Sequence, residues 1–296
     1  MAKTPIFTGS SVAIITPFNE NGVDFDAFGK LIDEQIACGT AAITVCGTTG
    51  ESSTQSLEEH IEVVDFCVKR VAGRIKVIAG AGSNDTAAAL MLSKEAENSG
   101  ADALLIVTPY YNKATQRGLI EHYTYIADRV NTPIIFYNVP SRTGVSATAA
   151  TYKELSKHPN INGVKEASSN FSLIAQTVAQ CGDELNIWSG NDNETVAMMA
   201  LGAKGVISVF GNIMPAEMAS IAAACLAGDF KKATALQSKF IDLMDALFIE
   251  VNPIPIKTAA NLMGKNAGKV RLPLCDMEPA NLEKLKTVLR GHGLIG

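Results

Sequence analysis

Ile134-Ile135-Phe136-Tyr137 and Ile161-Asn162-Gly163-Val164-Lys165 are short apolar runs that each end on a chemically useful side chain. Runs of this length, rich in β-branched and aromatic residues, read as buried strands. Others of the same kind lie at 12–15, 42–45, 76–79, 103–107, 185–189 and 205–208, which makes eight. Their starts are roughly 20 to 34 residues apart, the length of a strand followed by a helix. The segments between them carry helix signals. Asp24 is placed to cap a helix from Phe25, and Ser56 with Glu59 forms a capping box ahead of Ile61, Val64 and Val68. Asn170 can cap a segment through Ala179, and Gly39, Gly73, Gly100 and Gly202 fall where helices should stop. Eight such units favour a closed (β/α)8 TIM barrel over the alternative, an open doubly wound sheet.

After Ser208 the strand signal disappears, and helices are expected at 215–227, 230–249, 255–263 and 279–290. The first completes the barrel. The expected organisation is therefore an α/β barrel over 1–227, carrying the catalytic site, with a C-terminal helical extension over 228–296 packed on it.

Composition narrows the class of function. A hydrophobic share of 47% and a charged share of 19% suit a globular protein with a large core. The net charge of -5 and scattered basic residues, with no run longer than Lys231-Lys232, speak against nucleic acid as a partner. The N-terminal Met1-Ala2-Lys3-Thr4-Pro5-Ile6-Phe7 lacks the apolar centre of a signal peptide, and the apolar stretch 219–227 is about half the length needed to span a bilayer. Six cysteines without a CxxC pair and four scattered histidines offer no metal-site spacing, and reduced cysteines fit the cytoplasm.

In a parallel barrel the chemistry gathers where strands end. Lys165 closes one strand and Tyr137 another, the arrangement that amine catalysis on a carbonyl needs. An amine attacks only when neutral, and partial burial disfavours its charged form. The competing reading is a lysine that snorkels into solvent. After the second strand, Gly47-Thr48-Thr49-Gly50-Glu51-Ser52 can present hydroxyl and backbone N–H groups to a small carboxylate, or simply form a capped turn. Thr108-Pro109-Tyr110-Tyr111-Asn112 brings two phenols to a loop. Arg142, in Pro140-Ser141-Arg142-Thr143-Gly144, suits a bidentate carboxylate contact or a surface ion pair. Ser189-Gly190-Asn191-Asp192 reads as a small-ligand loop or an N-cap turn. Gly80-Ala81-Gly82-Ser83-Asn84-Asp85 fails as a dinucleotide motif, because Asp85 stands where the third glycine belongs.

Taken in this order and at these spacings, these segments resemble the dihydrodipicolinate synthase family, within the pyruvate-dependent class I aldolases and lyases. The likeness runs from Gly9-Ser10 to Asn252-Pro253-Ile254-Pro255-Ile256-Lys257. It implies condensation of pyruvate with L-aspartate 4-semialdehyde, with no external cofactor because the imine is the electron sink. It also implies roles. Lys165 would form the Schiff base, Tyr137 would be its acid and base, and Thr48 would link Tyr137 to Tyr111 of a neighbouring subunit. Thr49 would hold the pyruvate carboxylate, Arg142 that of the second substrate, Gly190 would join the substrate-binding loops, and Ile207 would offer a backbone contact near Lys165. A homotetramer built as a dimer of dimers is implied too.

Sister families, the N-acetylneuraminate lyases and keto-deoxy sugar-acid aldolases, share the lysine and tyrosine. Arg142 separates them, because the sialic-acid lyases lack it and need room for a polyhydroxylated chain. A silent barrel used for binding is the reading from another class. The sequence departs from lysine-inhibited relatives at a subunit-interface pocket. His60, Asn84 and Tyr110 match that pocket, but Leu57 and Ala88 stand where a histidine and a glutamate are found. Weak or absent feedback inhibition by lysine is the expectation.

Overall fold

The computed structural model describes residues 2–296, so Met1, with which the expected barrel span begins, lies outside the described residues. Eight parallel strands form a closed barrel: β1 Gly9–Ala13, β2 Ala42–Val45, β3 Lys76–Gly80, β4 Ala103–Val107, β5 Ile134–Asn138, β6 Ile161–Glu166, β7 Asn186–Ser189 and β8 Gly205–Ser208. Each pairs with its neighbours in chain order, and β1 closes the ring against β8 and β2. The outer ring is α1 Phe25–Ala37, α2 Leu57–Val71, α3 Thr86–Ser99, α4 Gln116–Ala127, α5 Ala149–Ser156, α6 Phe171–Cys181, α7 Thr195–Ala200 and α8 Pro215–Leu226. Then follow α9 Phe230–Lys239, α10 Ile241–Ala246, α11 Ile254–Leu262 and α12 Pro279–Gly291.

The expected caps form. Asp24 accepts the Ala27 N–H at 2.9 Å, and Asn170 accepts that of Leu173 at 3.0 Å. The Ser56 hydroxyl and Glu59 carboxylate satisfy each other's backbone N–H groups.

Alternation along the strands sorts the core into two layers. On β5, Ile135 and Tyr137 belong to the barrel interior, with Leu105, Trp188 and Ile207. Ile134 and Phe136 face the helices, where Tyr123 and Tyr152 pack against Phe136. On β6 the inward positions are Gly163 and Lys165. A β-carbon at Gly163 would lie 2.3 Å from the Asn186 carbonyl oxygen and 2.6 Å from the Trp188 ring, so the glycine makes room for both. Phe7 stacks on Trp188 with ring centroids 5.1 Å apart and closes the far end of the interior.

Three local expectations change. β1 starts at Gly9 and ends at Ala13, upstream of the expected 12–15. Its small polar residues are buried: Ser11 bonds Thr44 at 2.9 Å, whereas the Ser10 hydroxyl has no hydrogen-bond partner among the described residues, and the Ile15 N–H leaves the ladder for the Asn212 side chain at 3.0 Å. The helix expected over 230–249 breaks at Phe240, whose ring packs 5.6 Å from Phe210 and 5.4 Å from His292. A short hairpin, Phe18–Asn19 with Gly22–Val23, carries no apolar run to announce it. Among the described residues, no helix is long and apolar enough to cross a membrane, and no cluster of His, Cys, Asp and Glu could hold a metal ion.

Candidate active site

Tyr137 and Lys165 are register partners on adjacent strands, and both point inward near the C-terminal mouth of the barrel. Both are buried, at 7% and 5% exposure. The Lys165 side-chain nitrogen lies 4.4 Å from the centroid of the Tyr137 ring. The snorkelling alternative fails on this geometry, because the lysine is folded over an aromatic face inside the barrel.

Gly190, just past β7, makes that position possible. A β-carbon there would sit 3.2 Å from Lys165 Cε and 2.6 Å from Ala167 Cβ. The outward neighbour Glu166 fixes the strand ends behind the lysine. Its buried carboxylate accepts from Tyr152 Oη at 2.7 Å, the Ser168 N–H at 2.8 Å and Asn138 Nδ2 at 3.0 Å. Burial pushes the Glu166 carboxyl above the usual range, against the pull of these donors.

Above Lys165 opens a cleft of about 150 Å³ lined by Thr48, Thr49, Tyr137, Arg142, Gly190 and Asn252, among others. Thr49 is buried, and its hydroxyl oxygen accepts from Asn252 Nδ2 at 3.0 Å. The Asn252 carbonyl in turn accepts from Arg142 Nη2 at 3.4 Å. Arg142 stands on a single helical turn, Pro140–Thr143, that follows β5 directly. Two candidate carboxylate seats are thus joined through one asparagine. That asparagine was visible in the sequence only as part of a Pro-interrupted segment far along the chain, with no role attached.

A second cavity of about 340 Å³ shares Thr48, Tyr137 and Arg142 with the first and extends toward His60 and Tyr110. Of the expected regulatory pocket, His60 and Tyr110 line this cavity, whereas Leu57, Asn84 and Ala88 are not among its lining residues. His60 Nε2 lies 2.8 Å from the Gly80 carbonyl oxygen, and burial lowers the imidazole's pKa. Tyr111 is 89% exposed, with a left-handed backbone (φ 71°), and lines neither cavity of its own chain. Ile207 lies in the barrel interior, and the residue that reaches the cleft after β8 is Val209.

Comparison with known proteins places the whole chain in one family. The model of the dihydrodipicolinate synthetase family matches residues 6–291. The chain is 53% identical to the 4-hydroxy-tetrahydrodipicolinate synthase of Thermoanaerobacter sp. (strain X514), over 98% of both chains. Among solved structures, dihydrodipicolinate synthase from Aquifex aeolicus superposes with a TM-score of 0.95 at 50% identity, over 97% of this chain and 99% of that one. The Acinetobacter baumannii dihydrodipicolinate synthase, solved in complex with pyruvate, superposes with a TM-score of 0.95 at 42% identity, over 97% and 99%.

Proposed function

The chain belongs to the dihydrodipicolinate synthetase family, and from that premise we propose that it condenses pyruvate with L-aspartate 4-semialdehyde to give 4-hydroxy-tetrahydrodipicolinate. The product leads toward diaminopimelate and lysine. The observation that carries this reading is the Lys165 amine held over the Tyr137 ring, 4.4 Å from its centroid, in a cleft with Thr49 and Arg142.

The neutral Lys165 amine adds to the pyruvate ketone, and loss of water gives an imine. The imine acidifies the methyl group, whose proton passes to a base at the Tyr137 oxygen. The resulting enamine carbon attacks the aldehyde of the second substrate, and the aldehyde oxygen takes up a proton from Tyr137 to become a hydroxyl. The substrate's own amine then attacks the imine carbon, closes the six-membered ring and releases Lys165. Thr49 seats the pyruvate carboxylate, and Arg142 draws in the carboxylate of the aldehyde, where a planar guanidinium gives paired contacts. Arg142 also favours this small acidic aldehyde over the polyhydroxylated chain of an N-acetylneuraminate. Thr48, which lines both cavities, relays protons between Tyr137 and the Tyr111 of a neighbouring copy.

Incubation with pyruvate followed by borohydride reduction tests the reading, with the modified peptide found by mass spectrometry. An adduct on Lys165 and turnover of aspartate semialdehyde are expected. No adduct overturns the mechanism, and an adduct without turnover points instead to a sister aldolase.

The enzyme acts in the cytoplasm as a homotetramer, a dimer of dimers. Lysine should inhibit it weakly or not at all, because Leu57 and Ala88 provide no carboxylate or imidazole for the incoming ammonium. Charge-assisted contacts of that kind are worth roughly 1.5–3 kcal/mol each. Inhibition by low-millimolar lysine in a steady-state assay would refute this.

A further inference from the structure

Lys257 on α11 and Glu51 in the loop after β2 form an ion pair at 2.8 Å, with both side chains buried. Every proton of the ammonium is used. It donates to Glu51 Oε1 at 2.8 Å, to the Thr16 carbonyl at 3.0 Å and to the Lys269 carbonyl at 2.8 Å. The other Glu51 oxygen accepts the Arg271 N–H at 2.9 Å. A buried ion pair is a poor device for stability alone, since a well-packed apolar pair of similar volume often does as well. What it supplies is a fixed geometry.

That geometry falls on the pyruvate side of the cleft. Glu51 is two residues beyond Thr49 and takes a left-handed backbone conformation, φ 55° and ψ 37°. The intervening Gly50 carbonyl accepts from Thr16 Oγ1 and from Gln55 Nε2, each at 2.8 Å. The ion pair therefore reaches the threonine loop twice, through Glu51 itself and through Thr16. The same segment carries Asn252, whose amide donates to the Thr49 hydroxyl, and the Lys257 N–H bonds the Pro253 carbonyl at 3.0 Å.

We propose that Lys257 and Glu51 are positioning residues: the buried pair locks the loop of Thr48 and Thr49 against α11 and so presets the seat for the pyruvate carboxylate. This rests on the reading of Thr49 as that seat. Neither residue touches the substrate. Loss of the pair should leave Lys165 and Arg142 in place and weaken pyruvate capture specifically.

Three full-length variants test it: Lys257→Met, Glu51→Gln and the two combined. Pyruvate is titrated by borohydride trapping on Lys165, KM for aspartate semialdehyde is measured by steady-state kinetics, and thermal unfolding is followed alongside. A misplaced seat should raise the pyruvate concentration for half-maximal trapping roughly tenfold, because displacements well under 1 Å are felt at reacting centres. The KM for aspartate semialdehyde should change less than about twofold. Removing both charges should restore the melting temperature lost in Lys257→Met, since no unpaired buried charge remains, while the trapping defect persists. A combined variant that regains the melting temperature and wild-type pyruvate capture together overturns the proposal. If Lys257→Met and the combined variant do not fold, Glu51→Gln alone decides, because it keeps the side-chain shape. It should still weaken trapping by about threefold or more, and unchanged trapping in it overturns the proposal. Failure of the wild type to trap pyruvate would instead sink the functional reading.

Discussion

Tyr137 reaches the cleft because it occupies an inward position of β5, two residues after Ile135, and the ladder sets it beside Lys165. Its ring fills interior space while its hydroxyl carries the proposed proton traffic, so the two contributions separate experimentally. Tyr137→Phe should keep the fold and lower kcat roughly 10²–10³-fold, the usual scale for losing a positioned acid–base group. A variant with near wild-type kcat would remove the tyrosine from the chemistry. Arg142 is proposed for a different step. It is exposed, its side chain tethered among the described residues by one bond, to the Asn252 carbonyl, and available to a second carboxylate. Arg142→Ala should cut kcat/KM for aspartate semialdehyde by about ten- to a hundredfold, the value of one charge-assisted contact. Pyruvate trapping on Lys165 should be unaffected. An equal loss for both substrates would place the arginine in general packing.

The contact between α3 and α4 holds a buried titratable group that reports on stability. His122 on α4 has Nδ1 2.9 Å from the Thr86 hydroxyl at the start of α3, while its buried Nε2 has no hydrogen-bond partner among the described residues. Burial lowers its pKa from 6.5 to about 4, and Asp85 opposes this only in part. In the unfolded chain the same imidazole takes up its proton near 6.5. Between those values the unfolded state binds more protons, so stability is fully present above about pH 6.5 and falls as pH drops toward 4. The slope is roughly 1.4 kcal/mol per pH unit. Urea unfolding at about pH 7.5 and pH 5 should show it. His122→Gln should flatten the dependence, and an unchanged slope in that variant would refute the assignment. This cost was invisible in the sequence, where His122 was one of four scattered histidines. The elements themselves were more legible. Seven of the eight strands fall within about a residue of their apolar runs, because barrel strands covered on both faces read as predominantly apolar runs. β1 escaped because it opens on the polar Ser10 and Ser11, the second of which is satisfied by the distant Thr44. The break at Phe240 depends on Phe210 and His292, far away along the chain. The site divides in the same way. Lys165, Tyr137, Thr48, Thr49 and Arg142 meet because strand ends converge, a consequence of fold class. Asn252 reaches them only through the packing of α11.

At the scale of the whole molecule, the chain presents features that a single copy leaves unused. Tyr111 projects into solvent from a left-handed backbone position, beside the partly exposed Tyr110 and the cavity that runs to Tyr137. A non-glycine residue in that conformation costs about 1–3 kcal/mol unless its surroundings impose it. Such a projection has a purpose if a second copy receives the phenol. In a two-fold dimer the exchange is reciprocal, each copy lending its Tyr111 to the other's cleft. Subunit mixing tests this directly. Lys165→Ala removes the proposed imine-forming amine, and Tyr111→Phe removes the hydroxyl proposed to be donated, so each homo-oligomer should be impaired. In a hybrid dimer, the Tyr111→Phe copy keeps its own Lys165 and receives an intact Tyr111 from the Lys165→Ala copy. Equal mixing through unfolding and refolding should therefore restore about a quarter of wild-type sites, half the dimers being hybrids with one competent site each. If Tyr111 serves its own cleft, no hybrid contains a complete site, and the mixture stays at the mean of the two variants measured separately.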